Sequence, residues 1–410
     1  MTRSALPEIR VGVIGAGLIG QLHMHAYRRL GDLRHPIPAN VRLAVVADVY
    51  EPLAEEVADR FGFERTATSW EAVAEAKDVD VVTVALPNHE HRPAVEALLA
   101  SGKHVLCEKP LANNAADSWA MLEAARRAGV VHCVGFNNRR MPAIAAIKKM
   151  VDRGDFGETR QFVGSYLVDY AADEELPLNW RFKRDLAGGG ALVDVGPHVI
   201  DASRFLLGDI ESVHGAVMST FIDKRPILAG HVTGHDKGMV TGEMGVVDTD
   251  DLASFTARFQ NGTVATFAVS RVAPGHVYGL EFTVIGSTAS AKFNADNMAE
   301  FEFFRTSGDG DDTSGSRRVK VTGAHPYYAD VQVYPFPSFG HGATETWVGQ
   351  AYEFVGAVAR GVPMAGGGFE DGYAVDLVIE AVRLSAERGT LVRIDEISSK
   401  VEAGAKQPSA

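Results

Sequence analysis

Asp194 and His198 stand four residues apart in GGGALVDVGPHVIDASRFLLG, residues 188–208, where apolar residues recur at helical spacing from Ala191 to Leu207. Side chains at i and i+4 share one face of a helix, which brings a carboxylate and an imidazole together, with Asp201 nearly in line. Such a pair can hold a proton acceptor for general-base chemistry. Pro197 predicts a kink or a helix start near the middle. The alternative for polar groups on a face of Leu, Val and Ile is a satisfied core network; a cofactor fold in the same chain favours chemistry. A second candidate is HVLCEKPL, residues 104–111, which sets Glu108 and Lys109 just past a short apolar run. Pro110 disfavours helix at Lys109 and ends strand pairing, so the charged pair sits on a turn at a strand's end. In an open parallel sheet ligands bind at that end; the alternative is an ordinary connection with a solvated ion pair.

The elements that would position these groups begin with the β-branched run Arg10–Ile14, followed by Gly15-Ala16-Gly17-Leu18-Ile19-Gly20 and a helical pattern to about Leu30. Strand, glycine turn and helix in that order are the context in which GxGxxG binds a dinucleotide. Gly15 makes the turn, Gly17 lets the backbone approach a pyrophosphate, and Gly20 packs helix on strand. The helix start offers free N–H groups and partial positive charge. The next strand, Val41–Ala47, ends in Asp48, which can accept hydrogen bonds from ribose hydroxyls and would repel a 2'-phosphate. No basic residue follows in Val49-Tyr50-Glu51, so NAD is expected over NADP; Asp48 is also a candidate helix N-cap before Pro52.

A third strand, Val79–Leu86, runs into Pro87-Asn88-His89-Glu90-His91 and a helix Pro93–Ala100; the strand of residues 104–107, a helix Asn114–Ala128 and a fifth strand Val131–Phe136 follow. This alternation predicts a doubly wound parallel sheet. The H-x-H pairs His23/His25 and His89/His91 lack a Cys or carboxylate set at ligand spacing, so no metal is expected and capping or cofactor contacts are. After a helix Pro142–Val151 the pattern changes to strands: Gly157–Tyr170, Ser212–Thr220, Leu252–Phe259, Thr263–Ser270, Leu280–Ile285 and Ser290–Phe293, with an Asn261-Gly262 hairpin signal. The expected architecture is an α/β Rossmann domain, residues 1–137, and an α+β domain, residues 138–398, with a large, mainly antiparallel open sheet. Such a sheet leaves a face that self-association usually covers, so a homo-oligomer, dimer or tetramer, is expected.

Residues 223–250 read as an extended loop or arm, residues 308–316 as a polar hairpin tip, and residues 399–410 as a disordered tail. The stretch AHPYYADVQVYPFPSFGHG, residues 324–342, carries five Tyr and Phe, suited to sugar stacking or a subunit interface. Helices Glu345–Arg360 and Tyr373–Arg388 precede a closing strand near 391–394. A formal charge of -13 over 410 residues argues against a nucleic-acid surface. No apolar h-region opens the chain, so neither export nor a membrane span is expected. Only Cys107 and Cys133 occur, in apolar runs; buried free thiols in a reducing cytoplasm fit.

GAGLIG, PNHEH, CEKP and GGALVDVGPHVIDASRFLLG, in this order, resemble the glucose-fructose oxidoreductase and inositol dehydrogenase (GFO/IDH/MocA) family over nearly the whole chain. FNNRR, YLVDYAADEELPLNWRF, FIDKRP and the AHPY loop ending in GHG extend the likeness. The resemblance implies an NAD-dependent dehydrogenase of a small sugar or polyol, with Lys109, Asp194 and His198 as the catalytic set. It implies cofactor contacts from Gly15, Gly17, Leu18, Ile19, Gly20, Asp48, Pro87, Asn88, His91, Glu108 and Lys109, and places Trp180 and Arg181 near cofactor and substrate. A neutral sugar needs many hydrogen bonds and one apolar ring face, so Asn138, Asp169 and Arg181 with Trp180 are the expected substrate contacts beside the catalytic three. Asn138 stands where similar sequences often carry tyrosine. Two other readings are an inositol dehydrogenase and a cofactor-binding regulatory protein; presence of all three catalytic candidates argues against the latter.

Overall fold

The computed structural model describes residues 6–405 apart from 35–36, 38, 231–237, 307–313, 333–335 and 337–340. The chain divides into two compact units. The first comprises residues up to Asn137 with segments 330–334 and 343–376. Its sheet is parallel, in the order β3-β2-β1-β4-β5-β6: β1 Glu8–Ile14, β2 Asn40–Ala47, β3 Arg65–Ala67, β4 Val81–Val84, β5 His104–Cys107 and β6 His132–Val134. A parallel sheet of this kind is covered on both faces, and β4 is buried at every position. β3 was not expected from the sequence: it is a three-residue edge strand with no apolar run. The helix Trp70–Glu75 is likewise short and starts on Ser69, whose hydroxyl accepts from Ala72 N at 3.3 Å.

The helix Ala343–Arg360 also packs into this first unit. Trp347, Val348 and Phe354 share a core with Val11, Val13, Met24, Tyr27 and Leu106. Asn137 Nδ2 donates to Thr346 Oγ1 at 2.7 Å and Gln350 Nε2 to Val134 O at 2.7 Å. The expected assignment of 138–398 to one domain is therefore corrected: residues 343–376 complete the first unit. Helical periodicity says which face is apolar, not which sheet it covers.

The second unit holds a nine-stranded sheet ordered β16-β15-β14-β13-β7-β12-β11-β8-β17. Its strands are β7 Thr159–Leu167, β8 Ile210–Ser219, β11 Leu252–Phe259, β12 Val264–Ser270, β13 Gly279–Gly286, β14 Ala289–Asn294, β15 Glu300–Arg305, β16 Arg317–Lys320 and β17 Val392–Arg393. All neighbours are antiparallel except β7 and β12. The β11–β12 hairpin turns through Asn261-Gly262, with Gly262 at φ +89°. Phe255, Phe267, Phe162, Phe282 and Phe293 run across one face with successive ring centroids 4.6, 5.5, 5.7 and 5.4 Å apart. The helix Gly196–Leu207 lies on that face. At Gly164 it comes so close that a Cβ would sit 2.9 Å from Val199 Cγ2, so only glycine allows the approach.

Two further readings are corrected. The arm of residues 223–250 contains an antiparallel ribbon, β9 Lys224–Leu228 with β10 Val240–Val246, hidden in the sequence because β10 is exposed on both sides and shows no alternation. The tail expected from 399 is helical as far as Ala405. Most of the 308–316 tip lies outside the described residues.

Candidate active site

In the first unit the C-terminal ends of β1, β2, β4 and β5 carry Gly15–Gly20, Asp48, Pro87-Asn88 and Glu108-Lys109, on either side of the point where strand order reverses between β1 and β4. Gly15 has φ +95° and its Cβ would lie 2.3 Å from Ala85 O; a Cβ on Gly20 would lie 1.9 Å from Gly15 O. Side chains at either place would force the turn apart. Gly17 is the N-cap of the helix Leu18–Arg29, and no side chain bonds that helix start. Its backbone N–H groups therefore suit a pyrophosphate. Leu18 is half exposed beside them, while Ile19 is partly buried.

Asp48 accepts from Ala16 N at 2.8 Å and from Tyr50 N at 2.9 Å. These bonds tie the glycine turn to the end of β2 and leave each carboxylate oxygen a lone pair for a ribose hydroxyl. Arg42, the basic residue nearest in sequence, sits five β2 positions short of Ala47, about 16 Å away along the strand, and pairs with Glu64 at 2.6 Å. These residues fit an NAD without a 2'-phosphate.

Pro87 and Asn88 follow β4 and start a short 3-10 turn. Two of the expected cofactor contacts are buried and bonded within the first unit. His91 is fully buried, with Nδ1 and Nε2 at 3.1 Å from Pro110 O and 3.0 Å from Leu86 O. Burial lowers its pKa despite both carbonyls, so the neutral ring donates to one of them and ties together the loops after β4 and β5. Glu108 is also buried and accepts from His23 Nε2 at 2.8 Å and from Lys109 N at 3.1 Å. Burial pushes its carboxyl up, but the His23 bond and the His23 and Lys109 charges outweigh that and leave it below the usual glutamate range. Sequence motifs do not tell which way a side chain points. Lys109, unlike Glu108, is partly exposed at the end of β5.

In the second unit the expected helix is broken: Ala191–Asp194 forms one turn, and Gly196–Leu207 starts anew with Pro197 in its first turn. Asp250 holds the first turn by accepting from Gly190 N and Leu192 N, both at 2.8 Å. Tyr170 donates its hydroxyl to Asp194 Oδ2 at 2.5 Å. Burial raises the Tyr170 pKa, and the Asp194 charge raises it further, so the phenol keeps its proton and acts as donor. The His198 ring stacks on Tyr166 at 5.2 Å and 24°. Tyr166 lies edge-on to Tyr278, whose hydroxyl donates to Asn138 Oδ1 at 2.9 Å. Asp201 belongs elsewhere: it forms a buried ion pair with Arg139, fixing the FNNRR turn to the helix.

Asp169 Oδ2 accepts from Gly275 N at 3.3 Å and so braces the turn before Tyr278. Trp180 and Arg181 are partly exposed, the guanidinium lying 4.4 Å from the Trp180 ring. Sequence reasoning missed Tyr166, Tyr170 and Tyr278. The one available signal was Tyr166 and Tyr170 four apart at the end of a strand. The 324–342 stretch is only partly within the described residues, where Tyr328 donates to Phe336 O at 2.8 Å and stacks on His341.

Residues 9–136 match the oxidoreductase family with an NAD-binding Rossmann fold, and residues 144–292 match the GFO/IDH/MocA C-terminal domain. A levoglucosan dehydrogenase of Pseudarthrobacter phenanthrenivorans is 38% identical over 96% of this chain and 100% of its own. An inositol 2-dehydrogenase of Rhizobium meliloti is 27% identical over 93% of this chain and 98% of its own. Among solved structures, levoglucosan dehydrogenase in complex with NADH and levoglucosan gives a TM-score of 0.87 at 36% identity, covering 94% of this chain and 99% of that one. A full-length relative at this identity, two matching domains and a glycine turn shaped for a dinucleotide lead to one conclusion: the chain belongs to the GFO/IDH/MocA family and is an NAD-dependent oxidoreductase.

Proposed function

We propose that the protein oxidises a secondary ring hydroxyl of a sugar, C3 of levoglucosan or a related glucoside, to a ketone. The observation that carries this is the Asp194–His198 turn, a carboxylate bound by Tyr170 and an imidazole stacked on Tyr166. His198 removes the hydroxyl proton, and Asp194 orients His198 or the sugar hydroxyl. Lys109 stabilises the negative charge that develops on the oxygen. NAD, when bound, supplies the hydride acceptor. Asn138, Asp169, Trp180 and Arg181 contribute sugar contacts. The relatives' activities support the substrate class, and the identity of 38% to a levoglucosan dehydrogenase against 27% to an inositol dehydrogenase favours the former. The test is a panel of levoglucosan, glucosides and inositols followed by NADH absorbance. Faster turnover of an inositol than of any sugar would make the protein an inositol dehydrogenase instead. The exposed Val163, Val217 and Val264 on the outer face of the nine-stranded sheet support a homo-oligomer, for which sedimentation velocity is the check.

Asp48 is the determinant of cofactor choice in this reading. Asp48→Ala removes acceptors for ribose and the repulsion of a 2'-phosphate, and should shrink the NAD-over-NADP ratio of kcat/KM by roughly tenfold or more. Unchanged NAD preference in that variant would move the determinant elsewhere.

A further inference from the structure

We propose that Arg225, acting with Arg271, is a positioning residue for the substrate loop: both guanidiniums lie against the Phe182 ring and fix residues 170–182, the segment that presents Tyr170, Trp180 and Arg181. This rests on the reading above that the loop serves a sugar. Arg225, Arg271 and Phe182 are each fully buried. The guanidinium carbons lie 4.2 Å and 4.7 Å from the Phe182 ring centroid.

Arg225 reaches the loop's first half through its carbonyls, donating to Asp173 O at 2.7 Å, Leu176 O at 3.3 Å and also to Ala171 O. Arg271 reaches the second half, donating to Arg181 O at 3.2 Å and to Thr249 Oγ1 at 2.9 Å, while the Thr249 hydroxyl donates to Arg181 O at 3.3 Å. Arg271 O in turn accepts from Ala171 N at 3.0 Å. Beneath them is a small separate core of Ala171, Leu176, Phe182 and Val247.

The two arginines are not equivalent. Arg271 has Asp251 as a buried counter-ion at 2.9 Å. Arg225 has no carboxylate within ion-pair distance among the described residues, and its Nε has no partner there. Burying a cation that way is costly, and an apolar side chain would fill a hydrophobic pocket at less cost. What an apolar residue or a lysine cannot do is bond three carbonyls of one loop from a planar fork while stacking on an aromatic ring. The geometry is therefore selected for placing the loop. It also gives the β9–β10 ribbon a task, because β9 delivers Arg225, and Leu178 N donates to Pro226 O at 2.7 Å beside it. The loop's outer turn, Asp173 to Glu175, is exposed, whereas its ends carry Tyr170 bound to Asp194 and the Trp180-Arg181 pair.

The experiment compares Arg225→Met and Arg225→Lys with the wild type in sugar KM and kcat, NADH affinity, Trp180 emission taken by difference against Trp180→Phe, and the rate of proteolysis between residues 172 and 178. Both variants should raise sugar KM by roughly tenfold or more, change NADH affinity by less than sugar KM, shift Trp180 emission to the red and speed cleavage. Lysine keeps the charge but not the reach, so it should fail as methionine does. Wild-type sugar KM and Trp180 emission in the folded variants would overturn the proposal, as would a lowered Tm with parallel loss of sugar and NADH binding. If Arg225→Met does not fold, Arg225→Lys decides. Emission and proteolysis need no substrate, so they judge the clamp even if the wild type oxidises nothing in the sugar panel, a result that would count against the function alone.

Discussion

Replacing His198 with alanine lowers turnover by about 100-fold to 10,000-fold, the usual contribution of a positioned proton acceptor, and leaves NADH affinity at its wild-type value. The second half follows from placement: His198 is on a helix of the second unit, whereas the glycine turn and Asp48 belong to the first. Alanine is the best helix former, and the buried Val199, Ile200 and Leu206 keep that helix packed, so the loss is one of chemistry and not of fold. The pH profile gives an independent reading. A base must be unprotonated to accept, so oxidation rises with pH as the imidazole sheds its proton, and that limb vanishes in His198→Ala. Asp194→Asn should cost less, because the amide still accepts from the Tyr170 hydroxyl. Stopped-flow turnover with NADH fluorescence titration separates the two quantities. A His198 variant that turns over normally would leave the proton with another acceptor.

Lys109→Ala is expected to reduce kcat/KM by about 100-fold to 1,000-fold, on the scale of removing a donor from a developing oxyanion. Here the loss is divided. A cation beside the reacting oxygen acts on the bound alcohol as well as on the charged transition state, so sugar KM rises while kcat falls. The His23–Glu108 pair remains behind it, holding the turn after β5, so the rest of the site keeps its form. Initial-rate kinetics at saturating NAD measure both parameters. Near-normal turnover in both the Lys109 and the His198 variants would overturn the mechanism.

What could be read from the sequence follows the range of the physics. GAGLIG was legible because its spacing answers largely to the turn itself, Gly20 meeting Gly15 five residues back, although Gly15 also meets Ala85 seventy residues on; Asp194 and His198 were singled out by a helical spacing that the break at Val195 interrupts. His91 and Glu108 were read as cofactor contacts since they adjoin the motifs, yet their direction is set by Leu86, Pro110 and His23, partners the local pattern does not reveal. Tyr170 and Arg225 were out of reach for the same reason: each meets its partners across 24 to 54 positions of chain. β3 was lost because three partly buried residues carry no period.

The return of residues 343–376 to the first unit has a consequence for how the protein is made. A ribosome releases the chain from the N-terminus at about 5–20 residues per second, so β1 to β6 emerge on the order of tens of seconds before the helix Ala343–Arg360, which packs on the helix Leu18–Arg29 and shares a core with Val11, Val13 and Leu106, exists. Throughout that interval the nascent unit lacks this part of its core. A fragment ending at Asn137 would lack Trp347, Val348 and Phe354 for good and is expected to be less stable than the full chain, which comparison of their thermal melts checks. The modular look of a nucleotide-binding domain is thus a property of the finished chain, and of no stage before it.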